Sequence, residues 1–192
     1  MMRYVLIFIL TCIGSLSYGQ AYKLDDKNGF NKFQLGSSLS EIRKLVKVKK
    51  LKSKDVEKTT QWYEVSDIKE YKLFGYPLES IRLLFYKNQL LEIDVETPNS
   101  NTSHYNGLID VEISKKIEEE YGPWIRKELT LNDTIDKVLY RDEIIGRKVG
   151  LLLYAYKGIK TGDFSTWYRG NRLAFISKDL YEKKDNETVN GL

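Results

Sequence analysis

Between residues 81 and 96 apolar and polar side chains alternate with period two, and the alternation is sharp enough to set a register. A three-residue loop, Lys87-Asn88-Gln89, places Phe85 opposite Leu91, Leu83 opposite Ile93 and Ile81 opposite Val95 on one face of a hairpin. The other face then pairs Leu84 with Glu92 and Arg82 with Asp94. A two-residue loop that set Phe85 against Glu92 would mix the faces and is rejected. Upstream the period changes: Leu39, Ile42 and Val46 fall at i, i+3 and i+7 behind Ser38 and Glu41, whose spacing is that of a capping box, so a helix is predicted to start there. Ile109, Ile113, Ile117 and Tyr121, spaced by four, predict a second helix over 107–121 that Gly122 and Pro123 stop. Further strands are predicted around 138–141, 149–156, 164–168 and 173–177, the last two joined by a turn at Arg169-Gly170-Asn171-Arg172.

The order is helix then strands, and again helix then strands. It predicts an α+β fold with two helices packed on one face of an antiparallel sheet. The polar stretch 97–103 divides the chain into two candidate pseudo-repeats, about 29–97 and 105–181, inside a single domain spanning 20–181. Phe85-Tyr86-Lys87-Asn88 and Trp167-Tyr168-Arg169-Gly170 echo one another at the entry to a hairpin in each half. The remaining stretch, 182–192, is polar and is predicted to be a flexible tail.

The first nineteen residues have a different character. Arg3 supplies a short positive region, Tyr4 to Ile13 an apolar run, and Ser17-Tyr18-Gly19 a small-residue exit before Gln20, the layout of a secretory signal peptide. The run falls well short of the roughly twenty residues that span a bilayer, so no transmembrane segment is expected. A lipid anchor at Cys12 is disfavoured, because Ile9-Leu10-Thr11-Cys12 lacks a leucine three residues before the cysteine and a smaller residue directly before it. The expectation is a periplasmic or secreted protein.

Composition narrows the chemistry. The 192 residues carry 31 Lys and Arg against 27 Asp and Glu, which is too balanced for a protein built mainly to neutralise nucleic-acid phosphates. One cysteine, inside the signal, and one histidine, His104 in the polar connection, exclude disulfides, a thiol nucleophile and Cys/His zinc sites from the exported chain. No catalytic set, cofactor motif or metal site is legible. Glu92, Asp94 and Glu96 alternate on one strand face about 7 Å apart, a row that suits either calcium or a glycosidase pair but is read as the solvent face of an amphipathic strand, with Arg82 opposite Asp94 relieving the repulsion. The basic run from Arg43 to Lys58 is read as a solvated helix end that makes at most weak contact with an anionic surface. More telling are 14 Tyr, 7 Phe and 3 Trp. If Phe85, Leu83 and Ile81 face the helices, register turns Leu84, Tyr86, Leu152, Tyr154, Tyr156 and Trp167 to the opposite face, a candidate protein-binding surface.

Gly36-Ser37-Ser38-Leu39-Ser40-Glu41-Ile42 and the later Leu84-Phe85-Tyr86-Lys87-Asn88-Gln89-Leu90-Leu91-Glu92-Ile93 resemble the small exported bacterial modules typified by the SmpA/BamE lipoproteins and the β-lactamase inhibitor protein. The likeness covers residues 29–46 and 71–96, with an echo after Gly107. It implies helices against an antiparallel sheet, a tandem copy, and protein binding in the cell envelope, with an envelope or extracellular protein as partner. Two other function classes stand beside it: a carboxylate-dependent glycan-active enzyme, and a small-ligand or lipid carrier.

Overall fold

The computed structural model describes residues 23–52, 59–98, 111–129, 139–161 and 164–190. The signal segment, His104, most of the polar connection, and Lys54 and Lys58 of the basic run lie outside them, as do the side chains of Tyr154, Tyr156 and Trp167.

The capping box forms as its spacing requires. Glu41 N–H donates to Ser38 Oγ at 3.3 Å while Ser38 N–H donates to the Glu41 carboxylate at 2.7 Å, which starts α2 (Leu39–Leu45) after a helical segment, α1, at residues 23–27. Between them lies a two-stranded turn, β1 (Gly29–Phe30) with β2 (Phe33–Gln34). It requires glycine at 29, where φ is +144° and a Cβ would sit 2.2 Å from the Phe33 carbonyl oxygen. The first half continues through β3 (Val48–Lys50), β4 (Thr60–Val65), a small hairpin of β5 (Lys72–Leu73) and β6 (Tyr76–Pro77), then β7 (Ser80–Tyr86) and β8 (Gln89–Glu96). The second half is α3 (Val111–Tyr121) followed by β9 (Ile125–Leu129), β10 (Leu139–Ile145), β11 (Val149–Thr161) and β12 (Phe164–Ser177), and the described chain closes with α4 (Lys178–Asn190).

Eight strands form one antiparallel sheet in the order β3-β4-β7-β8-β12-β11-β10-β9. Each half contributes a four-stranded meander, and the halves meet where β8 pairs with β12. The α+β class expected from the sequence is therefore the class observed. One face of the sheet carries the main core, in which Ile42 of α2 and Ile113, Ile117 and Tyr121 of α3 join Leu83, Phe85, Ile93, Leu153 and Phe175. Asp25 ties α1 to the second half, its carboxylate accepting the backbone N–H groups of Arg147, Lys148 and Val149 at 2.8 to 3.0 Å.

Four expectations need correction. The β7–β8 loop has two residues, Lys87 and Asn88, with φ of +45° and +67°, so Tyr86 pairs with Gln89 and Phe85 with Leu90. A bulge at Leu91 then restores Leu84 to Glu92, Arg82 to Asp94, Leu83 to Ile93 and Ile81 to Val95, the pairs expected from the alternation. Secondly, Arg169 to Arg172 do not turn the chain; they lie within β12. Tyr154 pairs with Arg172 and Tyr156 with Tyr168, so Gly170 and Asn171 are spent on an irregularity opposite Ala155 rather than on a hairpin. Thirdly, the expected flexible tail from residue 182 is helical as far as Asn190. Finally, the face opposite the main core is not open throughout, because α4 packs on it.

Candidate functional site

Register determines what the second face carries. Lys49, Glu64, Arg82 and Asp94 stand in one row across β3, β4, β7 and β8, alternating in sign from strand to strand. A parallel row holds Trp62, Leu84 and Glu92. Beyond β8, Arg172 of β12 stands opposite Glu96, and Ala174 opposite Asp94. The face thus divides into an apolar half near the β7–β8 turn and a charged half at the far ends of the same strands.

The helix α4 seals the apolar half. Leu84, Tyr86 and Leu91 form a second buried cluster with Leu180 and Tyr181 of α4 and with Trp62 at its margin. Polar contacts fix the helix at both ends: Lys178 Nζ donates to the Gly146 carbonyl at 3.2 Å, and Glu187 accepts from the Tyr86 hydroxyl and from the Lys87 ammonium. Those two contacts hold Glu187 below the usual carboxylate range. Of the six residues expected to make an exposed binding face, Leu84 and Tyr86 are therefore buried, at 8% and 1% exposure, and Leu152 is half-buried. Register places Tyr154 and Arg172 on the same face, and the side chains of Tyr154, Tyr156 and Trp167 lie outside the described residues.

At the junction of the two halves lies a buried ionic network. Asp94 is 1% exposed and Glu92 4%, so the expectation of a solvated carboxylate row fails for both; β12 and α4 cover them. Arg172 Nη2 sits 2.6 Å from Asp94 Oδ2 and 3.6 Å from Glu92 Oε1, and the Tyr181 hydroxyl donates to Glu92 Oε2 at 3.1 Å. The expected partner of Asp94 was Arg82, yet Arg82 Nη2 instead donates to Glu96 Oε2 at 3.1 Å, an oxygen that Ser80 also meets. Burial, reinforced by the adjacent Asp94 charge, pushes Glu92 up to about 7, and burial raises Asp94 as well against the pull of Arg172. A protonated Glu92 supplies the donor that Asp94 Oδ1 otherwise lacks.

Beside this network the charged half opens into a cleft of about 290 Å³ lined by Leu51, Lys52, Trp62, Arg82, Asp94 and Arg172. The Arg82 and Arg172 side chains keep about a third of their surface, 34% and 31%. Outside the cleft, the basic run places Arg43, Lys44, Lys47, Lys49 and Lys50 in exposed positions on α2, β3 and the link between them, with the Arg43 guanidinium 5.9 Å from the Tyr63 ring centre. No group of three or more His, Cys, Asp or Glu residues among the described residues is placed to hold a metal ion, and no helix among them is long and apolar enough to cross a membrane. No protein-family model, curated protein or solved structure matches the chain.

Arg172, Tyr181 and Trp62 are the site residues that sequence reasoning missed as a group. Arg172 was hidden in apparent turn chemistry and Tyr181 at the edge of an apparent tail. Trp62 had a visible signal, since the stretch Thr60-Gln61-Trp62-Tyr63-Glu64-Val65 has the β-branched and aromatic content of a strand.

Proposed function

We propose that the chain is an exported, non-catalytic protein-binding module of the bacterial cell envelope, and that the charged half of its second sheet face is the binding surface. The observation that carries this reading is the cleft beside Trp62, in which two arginines are braced by buried or half-buried carboxylates on adjacent strands. Arginine and tryptophan dominate protein interfaces, and side chains already fixed by neighbours lose little freedom on binding. Two helix-then-meander halves sharing one sheet support the reading of a tandem module of the SmpA/BamE or β-lactamase-inhibitor type.

The glycan-active alternative needs Glu92 or Asp94 to reach a substrate, and their burial and their contacts with Tyr181 and Arg172 argue against that role. A lipid carrier needs an apolar cavity, whereas Lys52, Arg82, Asp94 and Arg172 make this cleft mostly charged.

The test is a pull-down from the host envelope with the wild-type chain and an Arg82→Gln variant of matched thermal stability. A partner retained by the first and lost by the second supports the proposal. Identical partner lists, or polysaccharide hydrolysis that Glu92→Gln abolishes, overturn it.

A further inference from the structure

The cleft also constrains what it can receive. Three cations line it, Lys52, Arg82 and Arg172, against Asp94, which is already bound to Arg172. Arg82 gives Nη2 to Glu96 and keeps 34% of its side-chain surface, so its guanidinium is both positioned and reachable. Trp62 and Leu51 supply an apolar side. The occupant that fits is anionic at one end and apolar beside it.

Two sources of negative charge are available to an envelope protein: anionic lipid or polysaccharide surfaces, and acidic side chains of another protein. The face discriminates between them. Lys49, Glu64, Arg82 and Asp94 alternate in sign across four strands, and Glu96 flanks Arg82, so a uniformly negative surface would press against three carboxylates as well as the cations. A single carboxylate entering the cleft meets, of the three, only Asp94 in the lining, and that one is already paired with Arg172. Lys49 of β3 stands in the same row of this face and adds long-range attraction for an acidic partner.

We propose that the cleft receives an acidic side chain of a protein partner, a glutamate or aspartate seated between Lys52 and Arg82, with a neighbouring apolar residue of the same segment against Trp62 and Leu51. This rests on the binding-module reading and specifies the partner's chemistry.

The probe is the peptide acetyl-Gly-Glu-Leu-Glu-Gly-amide, with its glutamine counterpart and phosphatidylglycerol vesicles as comparators. The readout is the NMR position of the Trp62 indole N–H, assigned through Trp62→Phe. The Trp124 indole, which donates to the Ser114 carbonyl at 3.1 Å, serves as internal reference. The Glu peptide is expected to move the Trp62 signal saturably and the Gln peptide to leave it in place, with affinity falling between 50 and 300 mM salt, roughly the range over which screening sets in. Arg82→Gln should weaken binding about fivefold or more, and Lys52→Gln about two- to threefold. Lys52 is exposed, so its variant decides the matter if Arg82→Gln does not fold. Equal response to both peptides, unchanged affinity in the variants, or vesicle binding through Lys52 and Arg82 without peptide binding would each overturn the proposal. A chain that ignores the peptide yet keeps its envelope partner through Arg82 refutes the acidic occupant alone; one with no partner at all refutes the module.

Discussion

Replacing Glu92 with glutamine should remove most of a stability loss that the wild-type chain suffers as pH rises. Glu92 lies 4% exposed under α4, with its ionisation pushed up from 4.5 to about 7 by burial first and by the Asp94 charge second. A carboxyl whose folded value is raised binds its proton more tightly in the native state. Its stabilising contribution is therefore complete below about pH 4.5 and is lost as pH climbs through 7. At about 1.4 kcal/mol per tenfold change in proton affinity, the loss between pH 5 and pH 8 is about 2 to 3 kcal/mol. Asp94, raised in the same direction, adds to it. Glutamine at 92 keeps a donor for Asp94 and an acceptor for Tyr181 without the titration, so its stability should match wild type near pH 5 and exceed it at pH 8. Urea denaturation at the two pH values reads this directly, as a midpoint difference of about 1 M at slopes of about 2 to 3 kcal/mol/M. Parallel pH profiles for the two proteins, or a wild type that gains on the variant as pH rises, would refute the reasoning.

Other consequences are open to the same assay. Tyr86→Ala should cost about 3 to 5 kcal/mol by emptying a buried site beneath α4, whereas a change under about 0.5 kcal/mol would mean that the face is open after all. Asp25→Ala removes a carboxylate from three backbone donors and should cost about 2 to 4 kcal/mol; an unchanged midpoint would show that α1 does not clasp the β10–β11 turn. Gly29→Ala, forced to φ +144° with its Cβ against the Phe33 carbonyl, should lower the melting temperature by at least several degrees, and a neutral result would contradict the β1–β2 geometry.

Much of this architecture is written in local pattern. The capping box of α2 and the i+4 spacing of α3 act over short spans and appear in the described residues where the pattern placed them, and the alternation through β7 and β8 holds for Ile81 to Leu84 and fails at Phe85, which pairs with Leu90 rather than Leu91. The bulge at Leu91 left only one trace, the doublet Leu90-Leu91, which breaks a strict alternation by putting one leucine on each face. The helix α4 left almost none. Its residues are nearly all polar, its apolar contribution is Leu180 and Tyr181, and it is held by contacts with Gly146, Tyr86 and Lys87 that are distant in sequence. The same holds for the site. Register alone put Arg82 beside Asp94, but the arginine that binds Asp94 comes from β12, and only the joining of the two meanders brings it there.

The central claim is that the charged half of the second sheet face meets a protein partner. A photo-crosslinking residue placed at Lys52, on the rim of the cleft, and another at Glu118, exposed on α3 of the helical face, would test it in the native host. A discrete protein adduct from position 52 and none from position 118 is the expected result. An adduct from 118 alone, or none from either position, would contradict the account.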